Sequence, residues 1–519
     1  MQNQDVFELY KPLRNHLRQI DLYGSFYTIW NYSQHLLSNK KFPNDVLVAP
    51  EFLSLDQIGK MRMVSLWELE TLCKEIIINS QEVEGKKTLK NWEYFANAIN
   101  KLKKLENDIS GKFVDKNNIL LEMHRIAHRQ FPWQAEKPAA ISMTRYYKIF
   151  NYEPISEIIK KVTNLSTQEL YIIATALFGL YENKFTLFYP TKIEIKGISI
   201  KNFDYFLNHF CCDIKTLKEK LLKEQEINEK FAYAFGSLRA YPIIKMAIPS
   251  GKDGLVCPLP TLLFWRLTNG IYYEIFRQKD FDNYFGFSFQ TYVGEVIKKA
   301  TYNKKIKYYA EEQYRIGKEL KDTIDWIVAD EEGTLFIECK TKRMTFGAKT
   351  EINSMDELEK ELDKAAEFIL QVYKAIKDCL DNKYPSYKHR SNKNIFPLIV
   401  TLEDWYLFGD LTLEKLNEKI KIMLSNHKIP TSWLDDYPYS ICSVSEFEKI
   451  TQVIQLIDIK EFMSKKVFDQ DCKKWNFSPF IGSKFSEINN KIKFLFPEDF
   501  DRIFPRHLRG DQKITQIDS

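Results

Sequence analysis

Two carboxylates and an ammonium stand at a spacing that suits phosphate chemistry: Asp325, Glu338 thirteen positions later, and Lys340 two positions after that. Alternation along "TLFIECKTKR" puts Phe336, Glu338, Lys340 and Lys342 on one strand face, with Leu335, Ile337, Cys339 and Thr341 on the other. Asp325 lies between apolar Ile324 and Trp326 in the strand-like "TIDWIVAD". The turn at Glu331–Gly333 makes these two strands hairpin neighbours. Two acids so gathered attract a hard divalent ion such as Mg²⁺ or Mn²⁺, which takes oxygen ligands, and the backbone carbonyl of Cys339 offers one more. An ion there makes a phosphodiester more electrophilic and acidifies a bound water. Lys340 can hold that water or steady the charge of the transition state.

The elements around these residues follow a definite order. A helix in "FSFQTYVGEVIKKA" precedes strand-like "KIKYYA", and the two strands above come next. A long helix is expected from about Met355 to Asp378, then a buried strand at Ile395–Leu402 and a strand and helix within Tyr439–Ile454. Helix, three strands, helix and strand predict an α/β domain with a mixed sheet.

Thr323 to Arg343, "TIDWIVADEEGTLFIECKTKR", resembles the PD-(D/E)XK superfamily of nucleases, which has the restriction-endonuclease-like fold. The resemblance runs from the helix near 285 through the strand at 395–402. It implies Asp325 and Glu338 as metal ligands and Lys340 as the catalytic lysine. Ile324 stands where the family name has proline. Members often carry a further acid on the preceding helix. Phe289, Val293, Val296 and Ala300 define the buried stripe of that helix here, which Gln290 flanks while Glu295 points nearly opposite. Position 290 thus matches the family's acid position, filled by Gln, with Glu295 as its rival. Gln371 and Tyr373 lie on the helix where some members place a Gln and a Tyr near DNA, but Ala365, Ala366, Ile369, Leu370 and Tyr373 read better as a core face. Lys342 shares the face of the site and can touch a phosphate. The basic-aromatic "YNKKIKYY" (Tyr302 to Tyr309) reads as a nucleic-acid groove or as a strand with one solvated face.

Residues 1–250 read mainly as helices. Leu66, Leu69, Leu72, Cys73, Ile76 and Ile77 repeat at helical spacing, as do Trp92, Phe95, Ala96, Ile99 and Leu102. Ser166 with Glu169 marks another helix start. A short hairpin is expected within 183–202. The turn-rich Ala247–Pro260 is the boundary candidate, giving a helical domain 1–250, a nuclease-like domain 251–460 and a C-terminal extension 461–519. The fold class is therefore α+β/α/β multidomain: a mostly helical first half, then a restriction-endonuclease-like mixed sheet flanked by helices.

The bulk numbers narrow the function. With 75 basic and 70 acidic residues the net charge is only +5, so nucleic-acid binding would need a local basic groove. Eight scattered cysteines form no CxxC pair, which fits a reducing cytosol. The first residues show no signal-peptide core, and Leu170–Tyr181 is too short to span a bilayer; no membrane partner is expected, and the localisation reads as cytoplasmic. His124 and His128 lie four apart but lack an HExxH frame, so a plain helix face is expected. No Walker loop, GxSxG elbow or GxGxxG motif is present. The expected partner is nucleic acid, DNA ahead of RNA. The helical half would recognise a target or a protein partner, or pair with a second copy. Bacterial restriction or anti-phage defence is the fold-level analogy. The alternative is a catalytically inactive nuclease-fold scaffold that binds nucleic acid or protein.

Overall fold

Helices form in the first half where apolar residues repeat at three- and four-residue intervals. Leu66–Asn79 starts at a Ser65/Glu68 capping box and buries Leu69, Leu72, Cys73 and Ile76. Thr167–Asn183 starts the same way: Ser166 N–H donates to Glu169 Oε2 at 2.8 Å, and Glu169 N–H donates to Ser166 Oγ at 3.2 Å. Each box satisfies helix-end donors that would otherwise lack partners. The computed structural model describes residues 2–80, 87–135, 139–190, 194–234, 236–301, 305–407 and 409–504. Among them no helix is long and apolar enough to cross a membrane.

The chain divides into two compact units, Met1–Lys279 with Glu498–Ser519, and Asp280–Pro497. The first is helical but also holds a four-stranded sheet of β1 (Thr186–Tyr189), β2 (Cys211–Asp213), β3 (Ile243–Ala247) and β4 (Asp253–Val256), in the order β1-β4-β3-β2. The sheet corrects two expectations. Within 183–202 no local hairpin forms among the described residues, and 191–193 lie outside them. β1 pairs instead with distant β4, Thr186 opposite Val256. The turn-rich Ala247–Pro260 is not a boundary either. Its Gly and Pro residues shape the β3–β4 turn, where Ile248 N–H donates to Lys252 O at 2.9 Å and Gly251 takes φ +76°. That left-handed backbone favours glycine.

The second unit opens with α1 (Phe281–Ala300), followed by β5 (Lys307–Ala310), β6 (Gln313–Ile316), β7 (Glu319–Asp322), β8 (Trp326–Ala329) and β9 (Gly333–Lys340). Then come α2 (Asp356–Leu380), β10 (Asn394–Thr401), α3 (Asp410–Asn426), β11 (Ser440–Ser443), α4 (Val444–Val453) and α5 (Ile459–Val467). Five strands form one mixed sheet, β11-β10-β9-β8-β5. β8 is antiparallel to both β5 and β9, while β9, β10 and β11 run parallel. Trp326, on one face, packs on α1, and Lys340, on the other, meets α2. β10 is buried along almost its whole length, as expected of a parallel strand covered on both sides. The stripe Ala365, Ala366, Ile369, Leu370 and Tyr373 on α2 is core.

The expected extension from residue 461 is also corrected. α5 packs at the start of β9: a Cβ on Gly333 would sit 2.8 Å from Ile459 Cγ2, and Asp330 Oδ2 accepts Ile459 N–H at 2.7 Å. Ile459, Phe462 and Met463 are buried, so this helix is part of the second unit's core.

Candidate functional site

The site grows from strand register. Ala310 on β5 stands opposite Trp326 on β8, and Trp326 stands opposite Ile337 on β9. One step outward the same registers align Glu311, Asp325 and Glu338 in a row across three neighbouring strands. The first pair is closed by Glu311 N–H donating to Asp325 O at 2.9 Å. Residues in such a row share a face.

Beyond this row the pairing slips by one. Thr323 N–H donates to Glu312 O, and Gln313 stands opposite Asp322. Ile324 is the extra residue, a bulge that turns the backbone and re-aims Asp325. Both neighbours of Asp325 are fixed. Tyr384 Oη accepts Ile324 N–H at 3.2 Å. Trp326 lies against Gly294 of α1 and donates its indole N–H to Gln290 O at 3.1 Å. Asp325 Oδ2 accepts Cys339 N–H at 2.6 Å, so the carboxylate takes the place of a backbone acceptor where the ladder ends.

Glu338 is buried. Its Oε1 accepts from Lys340 Nζ at 2.6 Å, and Gln371 Oε1 of α2 accepts from the same ammonium at 2.9 Å. The Phe368 ring lies 4.9 Å from that nitrogen. Asp325, Glu338 and Lys340, singled out by spacing, are thus brought together. Burial, then the neighbouring charges of Glu338 and Glu311, push the Asp325 carboxyl up to about 8 against the Cys339 N–H and Lys340. Burial, with Glu311, raises Glu338 as well, and Lys340 opposes it. Cys339 can offer only its carbonyl: burial and the two acids raise its thiol far above the ordinary range, so it stays protonated.

Gln290 takes a different place from the one expected. Its Nε2 donates to Glu311 Oε2 at 2.9 Å, so it holds a carboxylate rather than standing in for one. The acid that the register aligns with Asp325 and Glu338 lies at the end of β5, not on the helix. Glu311 was missed because only the register across the β6–β7 hairpin aligns it with Asp325. Its one sequence signal is the pair Glu311-Glu312 directly after the basic-aromatic stretch of β5. Gln371 reaches the site, whereas Tyr373 is buried and donates to Tyr437 O at 2.9 Å. Glu295 is half-buried further along α1. Tyr302 to Lys304 lie outside the described residues, and β5 is an edge strand with Lys307 and Tyr308 exposed. In the first unit, His124 and His128 are buried neighbours with rings 4.5 Å apart. Among the described residues no three His, Cys, Asp or Glu side chains are gathered closely enough to hold a metal ion.

A scan against protein-family models and searches of curated proteins and of solved structures found no match to this chain.

Proposed function

We propose that the unit Asp280–Pro497 is a metal-dependent nuclease of the PD-(D/E)XK type, with a restriction-endonuclease-like fold, that hydrolyses phosphodiester bonds in nucleic acid, DNA ahead of RNA. The observation that carries this reading is the meeting of Asp325, Glu338 and Lys340 at one end of a sheet, with both carboxyl groups raised. The order of elements from α1 to β10 supports it. So does the donor chemistry: burial and the neighbouring acids raise both carboxyl groups, Asp325 to about 8, so a hard divalent cation would displace the proton that Asp325 holds below that value.

Asp325, Glu338 and the Cys339 carbonyl would hold Mg²⁺ or Mn²⁺. When bound, the ion would supply Lewis acidity toward the phosphodiester and its leaving oxygen. Lys340 has three N–H donors. Glu338 and Gln371 take two of them, and the third is left for the attacking water or a phosphate oxygen. Gln371 and Phe368 fix the ammonium, which lowers the reorganisation needed when charge develops. Glu311, steadied by Gln290, adds negative potential that favours the cation.

A second reading is a binding module that does not cut. The observation favouring it is that no set of three metal-binding side chains is gathered among the described residues. Purified full-length protein incubated with plasmid DNA and with a structured RNA, in Mg²⁺ or Mn²⁺ and in EDTA, separates the two. The nuclease reading expects cutting that EDTA abolishes and that Lys340→Ala slows by roughly 10²-fold or more. Equal rates for parent and Lys340→Ala would reject the mechanism. Binding without cutting of either polymer would favour the non-cutting module.

A further inference from the structure

Lys340 is not the only cation that β9 and the chain just after it present to α2. Lys342 Nζ lies 3.5 Å from Glu361 Oε1, and Lys364, three residues on along the same helix, is near enough for its charge to lower the Lys342 pKa. Glu361, Lys364, Phe368 and Gln371 fall three or four residues apart, so they line one stripe of α2. The stripe therefore carries two cationic stations. Phe368 and Gln371 attend Lys340, and one turn toward the helix start Glu361 and Lys364 attend Lys342. Carbonyls at alternate residues of the strand extension are held: Leu402 N–H donates to Lys340 O at 3.2 Å and Trp405 Nε1–H to Lys342 O at 3.1 Å. Two residues of extended chain separate the stations by roughly 6.6 Å, close to one nucleotide step along an extended strand.

The second station is short of negative charge. Among the described residues Glu361 is the carboxylate that faces Lys342, and its Oε1 also accepts Thr345 N–H at 3.3 Å. Burial and the nearby Lys364 hold Lys342 below the ordinary lysine range. Next to it, Arg343 differs, since its guanidinium faces Glu403 at 3.2 Å. Two like charges brought together cost free energy that a bound anion would offset.

We propose that Lys342 and Lys364 form an anion subsite that holds the backbone phosphate adjoining the one at Lys340. The subsite rests on the nuclease reading for the identity of its ligand and gives that site a direction: the bound strand runs along α2 from Gln371 toward Glu361. Lys364 is exposed and among the described residues forms no ion pair with an acid, so changing it leaves the core intact.

The test is fluorescence anisotropy with the full chain and a short labelled DNA strand, single and as a duplex. It is run in EDTA so that nothing is cut, over a salt series. Lys342→Gln and Lys364→Gln are each expected to weaken binding about three- to tenfold. Each should also make the slope of log affinity against log salt shallower by about one. Lys342→Arg should restore binding. Glu361→Gln, which keeps an acceptor for Thr345, should tighten it. Affinities and slopes equal to the parent's in both Gln variants would overturn the subsite, as would failure of the parent to bind either probe. The two proposals fail separately. Loss of binding in the variants of a protein that never cuts keeps the subsite and removes hydrolysis. Metal-dependent cutting with unchanged variant binding does the reverse.

Discussion

Asp325 is placed where its charge is costly. In the folded chain it keeps its proton up to about 8, against an ordinary value of 3.8, because it is buried beside Glu338 and Glu311. Between those two values the folded state binds more protons than the unfolded state. Stability of the metal-free protein therefore falls as pH rises through this window. Asp325→Asn, which can still accept from Cys339 N–H, removes the cost. It is expected to stabilise the metal-free protein at pH 8 by on the order of 2 kcal/mol, and to have little effect near pH 4. Urea unfolding at the two pH values measures this. By the same linkage, Mn²⁺ affinity of the parent should rise between pH 6 and 8 as the competing proton leaves, which titration calorimetry reads. A flat affinity across that range, together with an unchanged stability of the Asn variant, would mean that Asp325 is ionised without a cation. At this scale the sequence was informative wherever chemistry and position were local. Asp325, Glu338 and Lys340 lie on two strands joined by a short turn, so alternation alone brings them together. Glu311 was illegible because its partner lies fourteen residues away, across a hairpin and a bulge.

Elements hold that constellation by close approach. A Cβ on Gly294 would lie 2.1 Å from Trp326 Cζ2, a ring atom with no room to yield, so α1 reaches β8 only because position 294 has no side chain. Gly294→Ala is expected to displace the indole, to cost about 1–3 kcal/mol, and to weaken Mn²⁺ binding by shifting Asp325 next door. Gly286 lies in the same helix with nothing within 4 Å of its added Cβ. Gly286→Ala should therefore stabilise α1 by about 0.5–1 kcal/mol. Urea unfolding and Trp fluorescence of the two variants measure the contrast, and equal effects would remove the argument from Trp326. Periodicity made α1, α2, β8, β9 and β10 readable, because each buries a regular face. The β6–β7 hairpin carries no such periodicity. Its strands are short, charged and mostly exposed, and what fixes them is local and polar. Gly317 takes φ +61° at the first turn position, and Tyr314 donates to Asp378 Oδ2 at 2.7 Å. Neither contact leaves an apolar pattern to read.

On the scale of the molecule, the polypeptide leaves its first unit at Lys279 and returns to it at Glu498. The Gly and Pro residues around position 250 suggest a boundary, yet such residues mark hairpin turns as readily as linkers. Which of the two they mark depends on strand pairing up to seventy residues away. The return at the other end was hidden for a similar reason: Ile503 and Phe504 look like isolated apolar residues in a polar tail. Both are buried, and nearby Asp499 accepts from Lys148 Nζ at 3.0 Å. Burying an Ile and a Phe contributes roughly 3–6 kcal/mol. Removal of residues 498–519 should therefore destabilise the first unit and spare the second. Calorimetry of the full chain identifies the second unit's transition as the one that Mn²⁺ raises. In the shortened chain the other transition is expected to fall by several degrees while the Mn²⁺-sensitive one stays in place. A drop in the Mn²⁺-sensitive transition instead would assign the last helix to the second unit.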